Sequence, residues 1–262
     1  AHNYDPDKTY ELYKVMAESG INIVNYVGEL DCSIAENKRI MDICTQLDMK
    51  FLGNVLGYPT NADRIAAIKE HLASSPTYVG EHLVDEPGVH EFDGLAAFVD
   101  AYNAEIPDKE VYINLFPKYA NAATQLGTDY ENYIDQYLTK VKTKSLSCDY
   151  YGLHTNGTVF NDFYSNLDFV RGRTLDNRMP FWVITQAGIA GSAKMPTELE
   201  HRWSVWANIA VGSKGISYFC YWTPSGGTYN DNGFMIDING NKNPMYTWVQ
   251  TINKDINTIG KK

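Results

Sequence analysis

The residues best suited to chemistry are carboxylates and amides at the ends of short apolar runs. Asp85 and Glu86 end the run YVGEHLVDEP, Asp149 lies in SCDYYGLH, and Gln186 ends FWVITQAG. Cleavage of a glycosidic bond needs one carboxylic acid to protonate the leaving oxygen and a second carboxylate to attack or to activate water. Glu86 is the best candidate for the acid, because the proline that follows stiffens the turn and helps to aim the side chain. If its run is a strand, Val84 and Glu86 share one face and Asp85 lies on the other.

Four further residues near the ends of such runs could contact a sugar. Asn114 is near the end of VYINLFP, Tyr151 and His154 lie in or just after SCDYYGLH, and Trp222 ends ISYFCYW. An indole offers a flat apolar face to a sugar ring, and a histidine can donate to a hydroxyl or assist proton transfer. The structural alternatives are core packing for Trp222, a solvated loop position for His154, and a helix-capping or ion-pairing role for Glu86.

The apolar runs recur at a nearly constant interval. They begin near Ile21, Phe51, Tyr78, Val111, Ser147, Phe181 and Ile216. Amphipathic helical stretches are predicted at 6–19, 34–47, 62–74, 91–105, 129–142, 161–175, 196–212 and 243–259. The interval is close to the roughly 31 residues of one βα unit in an eight-unit barrel. Gly20 and Gly215 stand between helix and strand, where a left-handed cap favours glycine.

This alternation predicts a single α/β domain over residues 1–262, a (β/α)8 TIM barrel. Eight helices but only seven strands are predicted, because too few residues precede the first helix, at about Pro6, to form a strand. The first barrel strand is therefore missing or irregular. An open doubly wound sheet is the alternative, and the absence of a GxGxxG motif after a first strand argues against it. Barrel active sites lie at the carboxyl ends of the strands, so the polar residues above should converge at one mouth.

Charge and composition exclude several classes of partner. The chain has 22 Lys and Arg against 32 Asp and Glu, a net charge of −10. Such acidity argues against a nucleic acid or an anionic membrane as partner, and no apolar run is long enough to span a membrane. Cys148 and Cys220 are predicted as buried thiols in strands, and a disulfide between Cys32 and Cys44 is an open alternative. No metal-ligand spacing is present, so neither a catalytic metal nor another cofactor is expected.

The segment HLVDEPG resembles the fourth-strand Asn-Glu-Pro or Asp-Glu-Pro of the large clan of (β/α)8 glycoside hydrolases that includes cellulases and β-galactosidases. The tail GFMIDINGNKNPMYTWVQTIN is similar to the region between the eighth strand and the last helix of such enzymes. The resemblance implies that Glu86 is the acid/base and that Asp85 contacts the sugar. It further implies a carbohydrate as partner, a place in a larger multidomain chain, and a location outside the cell or at its surface.

One departure from the clan concerns the seventh strand, where the family has a nucleophilic Glu and this sequence has Gln186. An amide is a poor nucleophile and cannot stabilise a positively charged transition state as a carboxylate does. Three interpretations stay open. Gln186 replaces a natural Glu; or it is natural and Asp149 or Asp85 is the second carboxylate; or the barrel binds carbohydrate without cleaving it. A lyase or aldolase is disfavoured, because no strand ends in a lysine.

Overall fold

Seven β-strands alternate with eight α-helices over the residues that the structure describes. The computed structural model describes residues 6–26, 31–153, 156, 158–159, 161–189, 194–224 and 233–260. The strands are β1 (Ile23–Asn25), β2 (Lys50–Gly53), β3 (Tyr78–Asp85), β4 (Glu110–Leu115), β5 (Leu146–Asp149), β6 (Phe181–Gln186) and β7 (Gly215–Phe219). The helices are α1 (Pro6–Glu18), α2 (Ile34–Gln46), α3 (Asn61–His71), α4 (Phe92–Glu105), α5 (Tyr130–Lys140), α6 (Phe163–Asp176), α7 (Glu198–Ala210) and α8 (Pro244–Ile259). A 3-10 turn follows β3, at Val89–Glu91, and a π-helical turn follows β4, at Ala122–Leu126.

The strands form one sheet in which the strand order follows the order along the chain. The strand pairs β1–β2, β2–β3, β3–β4, β4–β5 and β6–β7 are parallel. Parallel strands in sequential order, each followed by a helix, are the arrangement of the (β/α)8 class. The predicted fold class is therefore confirmed, with seven strands among the described residues and with α1 ahead of the first of them.

Contacts along the chain divide it into two compact units. The first unit comprises Asn22–Cys148 and Arg173–Pro180, and the second comprises Ala1–Ile21, Asp149–Gly172 and Phe181–Lys262. The first unit holds strands β1 to β4 with helices α2 to α5. The second holds β6 and β7 with α1, α7 and α8. Each unit has its own buried apolar residues.

A buried ion pair lies between β3 and α3 in the first unit. The Glu81 carboxylate is fully buried and accepts hydrogen bonds from Arg64 Nη2 at 2.7 Å, from the Val55 amide at 2.6 Å and from the Tyr78 hydroxyl at 3.0 Å. Burial raises the pKa of Glu81, and the Arg64 guanidinium opposes that rise. The carboxylate thus has partners on both oxygens, as a buried charge requires. The carboxylate therefore links β3 to α3 and to the segment that follows β2.

Helix α8 packs against α1 in the second unit and caps its carboxyl end. The Tyr246 hydroxyl donates to the Val15 carbonyl at 2.7 Å, and Asn253 Nδ2 donates to the Ser19 carbonyl at 3.1 Å. Gly20 has a φ of +80°, and a Cβ at this position would lie 2.9 Å from the Cβ of Asn253. The glycine is therefore required both by its left-handed backbone and by the close approach of α8.

Gly215 has a different role from the one predicted. It is the first residue of β7 and does not have a positive φ; the left-handed residue after α7 is Gly212, with a φ of +98°. A Cβ on Gly215 would lie 2.4 Å from the indole of Trp182 on the neighbouring strand. The prediction of a cap at Gly215 was therefore wrong, because this glycine makes room for the Trp182 ring and does not form a turn.

The four cysteines are free thiols, so the alternative of a Cys32–Cys44 disulfide is not realised. Cys148 is buried in β5 as predicted, whereas Cys220 follows β7 and is only half-buried. In the part of the chain that the structure describes, no helix combines the length and the apolar character needed to cross a bilayer.

Candidate active site

The end of β3 departs from regular strand geometry at the predicted acid. A register shift against β4 falls between His82 and Val84, the strand ends at Asp85, and Glu86 has a left-handed φ of +52°. Glu86 therefore lies past the regular strand, and the predicted alternation of faces, which assumes extended backbone as far as Glu86, does not apply to it. A non-glycine residue with positive φ is uncommon and is found disproportionately at functional sites.

Asn114 at the end of β4 holds both acidic residues of this segment. Its Nδ2 donates to Asp85 Oδ1 at 3.0 Å, and its main-chain carbonyl accepts from the Glu86 amide at 2.8 Å. The Asp85 carboxylate and the Glu86 backbone are thus fixed from one residue of the neighbouring strand. The structure brings these three predicted site residues together.

The orientation of the Asn114 amide is itself set by a hydrogen-bond chain. Ser147 Oγ donates to Asn114 Oδ1 at 3.1 Å, and the Tyr112 hydroxyl lies 2.6 Å from Ser147 Oγ. Asn114 is only 2% exposed, so both ends of its amide are used inside the protein. Asn114 therefore acts by positioning Asp85 and Glu86. The sequence did not single out Ser147 or Tyr112, because only the strand register places Ser147 beside Asn114.

The peptide that follows Glu86 is also anchored. The Tyr133 hydroxyl on α5 donates to the Pro87 carbonyl at 2.8 Å, and Glu91 Oε2 accepts from the Gly88 amide at 2.9 Å. Tyr133 is completely buried. These contacts hold the left-handed turn at Glu86 in place, so that its side chain starts from a rigid backbone.

Asp85 has a perturbed carboxyl group. Burial in the surrounding protein raises its pKa, and the hydrogen bond from Asn114 opposes that rise, although the residue as a whole is exposed to solvent. Perturbed carboxyl groups in clefts are common at functional sites. Asp85 is therefore accessible to a ligand and also restrained by the protein.

We expect Asn114→Ala to raise the pKa of Asp85 further, because it removes the hydrogen bond that stabilises the charged form. A pKa raised by folding adds stability only below the unfolded value, about 3.9 for Asp, and this stability is lost as the pH rises. The free energy of unfolding should be about 1 kcal/mol lower for the variant than for the parent near neutral pH. This difference should shrink in acid. Carboxyl NMR titration and urea unfolding at several pH values measure both effects. Asn177→Ala, at an exposed asparagine, is the control and should leave the pKa of Asp85 unchanged.

The second unit contains the predicted Asp149 and Tyr151. Asp149 is the last residue of β5 and is only 3% exposed, and Tyr151 follows the strand rather than lying in it. The Tyr151 ring lies 6.0 Å from that of Phe219 at the end of β7, and Phe219 lies 6.0 Å from Phe234. Tyr151 thus belongs to an aromatic cluster that the sequence did not reveal, while Asp149 is far less accessible than Asp85.

Gln186 at the end of β6 is held by its amide nitrogen. Nε2 donates to the Gly188 carbonyl at 2.8 Å and also to the Lys194 carbonyl. Because a carboxylate has no hydrogens to give to two carbonyls, the surroundings of Gln186 suit an amide. These contacts favour the interpretations in which the glutamine is natural over the one in which it replaces a glutamate.

Residues at the start of α7 contact the backbone of Gln186 and the loop that follows it. His201 Nδ1 donates to the Gln186 carbonyl at 3.0 Å, and burial lowers the pKa of His201 to about 4, so this imidazole is neutral at pH 7. The Lys194 ammonium lies 2.7 Å from Glu200, whose carboxylate also accepts from the Thr197 amide at 2.8 Å. The sequence carries two signals for these contacts, the capping box of Thr197 and Glu200 and the histidine at position 201 of the same helix.

Trp222 is a half-buried residue after β7. Its ring packs edge-on against Tyr13 at 5.4 Å and against Tyr221 at 4.8 Å. Packing in T-shaped pairs accounts for part of the indole surface and leaves part accessible. The role of Trp222 as a sugar platform stays a prediction, and so does its convergence with the acidic residues.

His154 lies outside the described residues. Among the residues that are described, no group of three or more His, Cys, Asp or Glu side chains is arranged to hold a metal ion.

The chain has the fold of the (β/α)8 barrels that include glycoside hydrolases. A β-galactosidase from Marinomonas ef1 is similar over 98% of this chain and 58% of its own, with a TM-score of 0.68 and 11% identity. An endo-β-1,3-glucanase from Sorangium cellulosum is similar over 91% of this chain and 94% of its own, with a TM-score of 0.56 and 12% identity. This chain thus spans 58% of the length of the β-galactosidase.

A barrel with different chemistry is also similar. A truncated 3-deoxy-D-arabino-heptulosonate 7-phosphate synthase from Thermotoga maritima matches 98% of this chain and 82% of its own, with a TM-score of 0.51 and 11% identity. No family model matches the sequence, and no curated protein matches it significantly. The comparisons therefore establish the fold, and the function has to be argued from the site.

Proposed function

We propose that the chain is a glycoside hydrolase in which Glu86 protonates the leaving oxygen and Asp85 binds a sugar hydroxyl. The observation that carries the proposal is the pair of hydrogen bonds that Asn114 makes at the carboxyl end of β3, to the Asp85 carboxylate and to the Glu86 amide. Active sites of this fold lie at the carboxyl ends of the strands. A carboxyl group on a rigid left-handed turn suits proton transfer, which depends on geometry before pKa.

The proposed reaction needs a second carboxylate, because the amide of Gln186 cannot attack or act as a base, and the sequence leaves Asp149 and Asp85 as the two candidates. Without a nucleophile on β6, a direct attack by water is the simpler course, with inversion at the sugar carbon. Asp85 has the more accessible carboxylate of the two candidates, and Asp149 requires water to reach a nearly buried group.

The sugars to test first follow from the fold neighbours. Their names refer to β-galactosides and to β-1,3-glucans, so lactose and laminaritriose are suitable probes. This chain spans little more than half of the β-galactosidase. We therefore propose both that this chain is catalytically active and that it belongs to a larger chain.

A second function, carbohydrate binding without cleavage, is favoured by one observation. The site of Gln186 is built around an amide whose nitrogen donates to two carbonyls. A barrel of this kind would keep hydroxyl acceptors such as Asp85 and still bind sugar. It would release no product.

The test is calorimetric binding of lactose and laminaritriose, together with release of reducing sugar, by the parent and by Asp85→Asn. We expect the variant to lose about tenfold in affinity, since a charged acceptor binds a hydroxyl more tightly than an amide oxygen does. Asp100→Asn, at an exposed carboxylate of α4, is the matched control. Binding with product release supports the hydrolase, binding without release supports the second function, and no binding of either sugar contradicts both.

A further inference from the structure

The amide of Gln186 has one permitted orientation. An amide nitrogen carries two hydrogens, and here both are donated, to the carbonyls of Gly188 and Lys194. A flipped amide would set its oxygen against two carbonyl oxygens and lose both hydrogen bonds. The side-chain oxygen Oε1 must therefore point away from the carbonyls of Gly188 and Lys194.

That oxygen is a buried acceptor with nothing to accept from in the described chain. Gln186 is 3% exposed, and Oε1 has no hydrogen-bond partner among the described residues. Buried polar atoms are almost always paired, because the loss of water is otherwise uncompensated. Twelve buried side-chain atoms of the described residues have no hydrogen-bond partner within the described chain, and Gln186 Oε1 is the one at the carboxyl end of β6, the edge at which barrels of this fold bind their ligands.

The acceptor is rigidly held from α7. Lys194, whose carbonyl takes one amide hydrogen, is tied through its ammonium group to Glu200 at 2.7 Å. Glu200 is in turn fixed by the Thr197 hydroxyl at 2.9 Å, and His201 holds the main chain of Gln186. Such preorganisation reduces the entropic cost of binding.

We propose that Gln186 Oε1 accepts a hydrogen bond from a hydroxyl group of the carbohydrate, and that Glu200 positions it through Lys194. This inference rests on the proposed function and deepens it, because it turns the residue in place of the nucleophile into a specificity determinant. The acceptor is an amide oxygen, and a sugar hydroxyl is a donor that such an oxygen can accept from.

The experiment is a double-mutant cycle between the protein and the sugar. Lactose, laminaritriose and their monodeoxy analogues are titrated into the parent and into Gln186→Met, which has similar length and no acceptor. For one analogue we expect the parent to lose about tenfold in affinity. Gln186→Met should bind that analogue and the complete sugar equally well. Its melting temperature shows whether the variant is folded.

Glu200→Gln tests the positioning role without touching Gln186. We expect it to weaken binding of the complete sugar and to leave the affinity for the same monodeoxy analogue unchanged. Glu198→Gln, an acidic residue of the same helical turn, is the control and should behave as the parent. If the parent binds sugar and Gln186→Met shows the parent's discrimination among the analogues, this inference is wrong while the proposed function stands. If the parent binds neither sugar, both are wrong.

Discussion

Gln186→Glu should lower the free energy of unfolding by about 3 kcal/mol at neutral pH, and it should not create glycosidase activity. The new carboxylate would be buried and would face the carbonyl oxygens of Gly188 and Lys194. Two hydrogen bonds would become two repulsive contacts. A glutamate at this position would thus place a charge against two hydrogen-bond acceptors.

The loss of stability should depend on pH in a defined direction. Burial and the two carbonyls raise the folded-state pKa of a glutamic acid at this position above its unfolded value of about 4.3. The destabilisation should be small below that value and grow as the pH rises through the folded-state pKa. Urea unfolding between acid and neutral pH measures it. Gln46→Glu, at an exposed glutamine on α2, provides the same chemical change without burial and should show no such trend.

One result would contradict this view of Gln186. If the glutamate variant is as stable as the parent at neutral pH and releases reducing sugar from lactose or laminaritriose, position 186 is a carboxylate site. The first of the three interpretations from the sequence would then hold, and the amide contacts would be secondary.

Glu86→Gln should reduce hydrolysis of unactivated glycosides by about 10²- to 10⁴-fold, the usual contribution of a general acid. Substrates with good leaving groups need little protonation of the leaving oxygen, so their cleavage should fall much less. The measurement compares kcat/KM for lactose or laminaritriose with that for a dinitrophenyl glycoside. A small and equal loss on both kinds of substrate would remove Glu86 from the acid role.

The control for Glu86→Gln is Glu91→Gln, in the same segment between β3 and α4. Glu91 accepts a hydrogen bond from the Gly88 amide, and Glu91→Gln keeps an oxygen for that bond while removing a negative charge. It should retain the parent's kcat/KM on both kinds of substrate. Comparable melting temperatures for the two variants would show that a loss at Glu86 reflects chemistry and not a disturbed turn.

The positions of the helices and strands could be predicted from the sequence because the signals for them are local. Apolar runs and helical periodicity repeat once per βα unit, and the structure has each predicted element close to its expected range. The carboxyl ends of the strands were therefore also predictable. So was the choice of the candidate site residues near them, Asp85, Glu86, Gln186 and Asn114.

The interactions of those residues could not be predicted, because they depend on strand register and on loops. The left-handed backbone of Glu86 takes this residue out of the two-residue period that predicts its face. The role of Asn114 depends on Ser147, which is 33 residues away in sequence. The environment of Gln186 depends on a carbonyl in the following loop, at Lys194, and no periodicity in the sequence marks it.

The capping of α1 by α8 affects how the chain folds while it is being made. The hydrogen bonds from Tyr246 and Asn253 close loops of 231 and 234 residues, and Asn257 donates to the Gly20 carbonyl across 237 residues. On a ribosome, α1 is made before α8, so its last carbonyls and the left-handed turn at Gly20 gain these partners only when synthesis of α8 is finished. Contacts of such separation form late, since chain closure costs entropy before it is repaid. Helix α1 is thus stabilised late, and until α8 has formed its apolar face is open to chaperones and proteases.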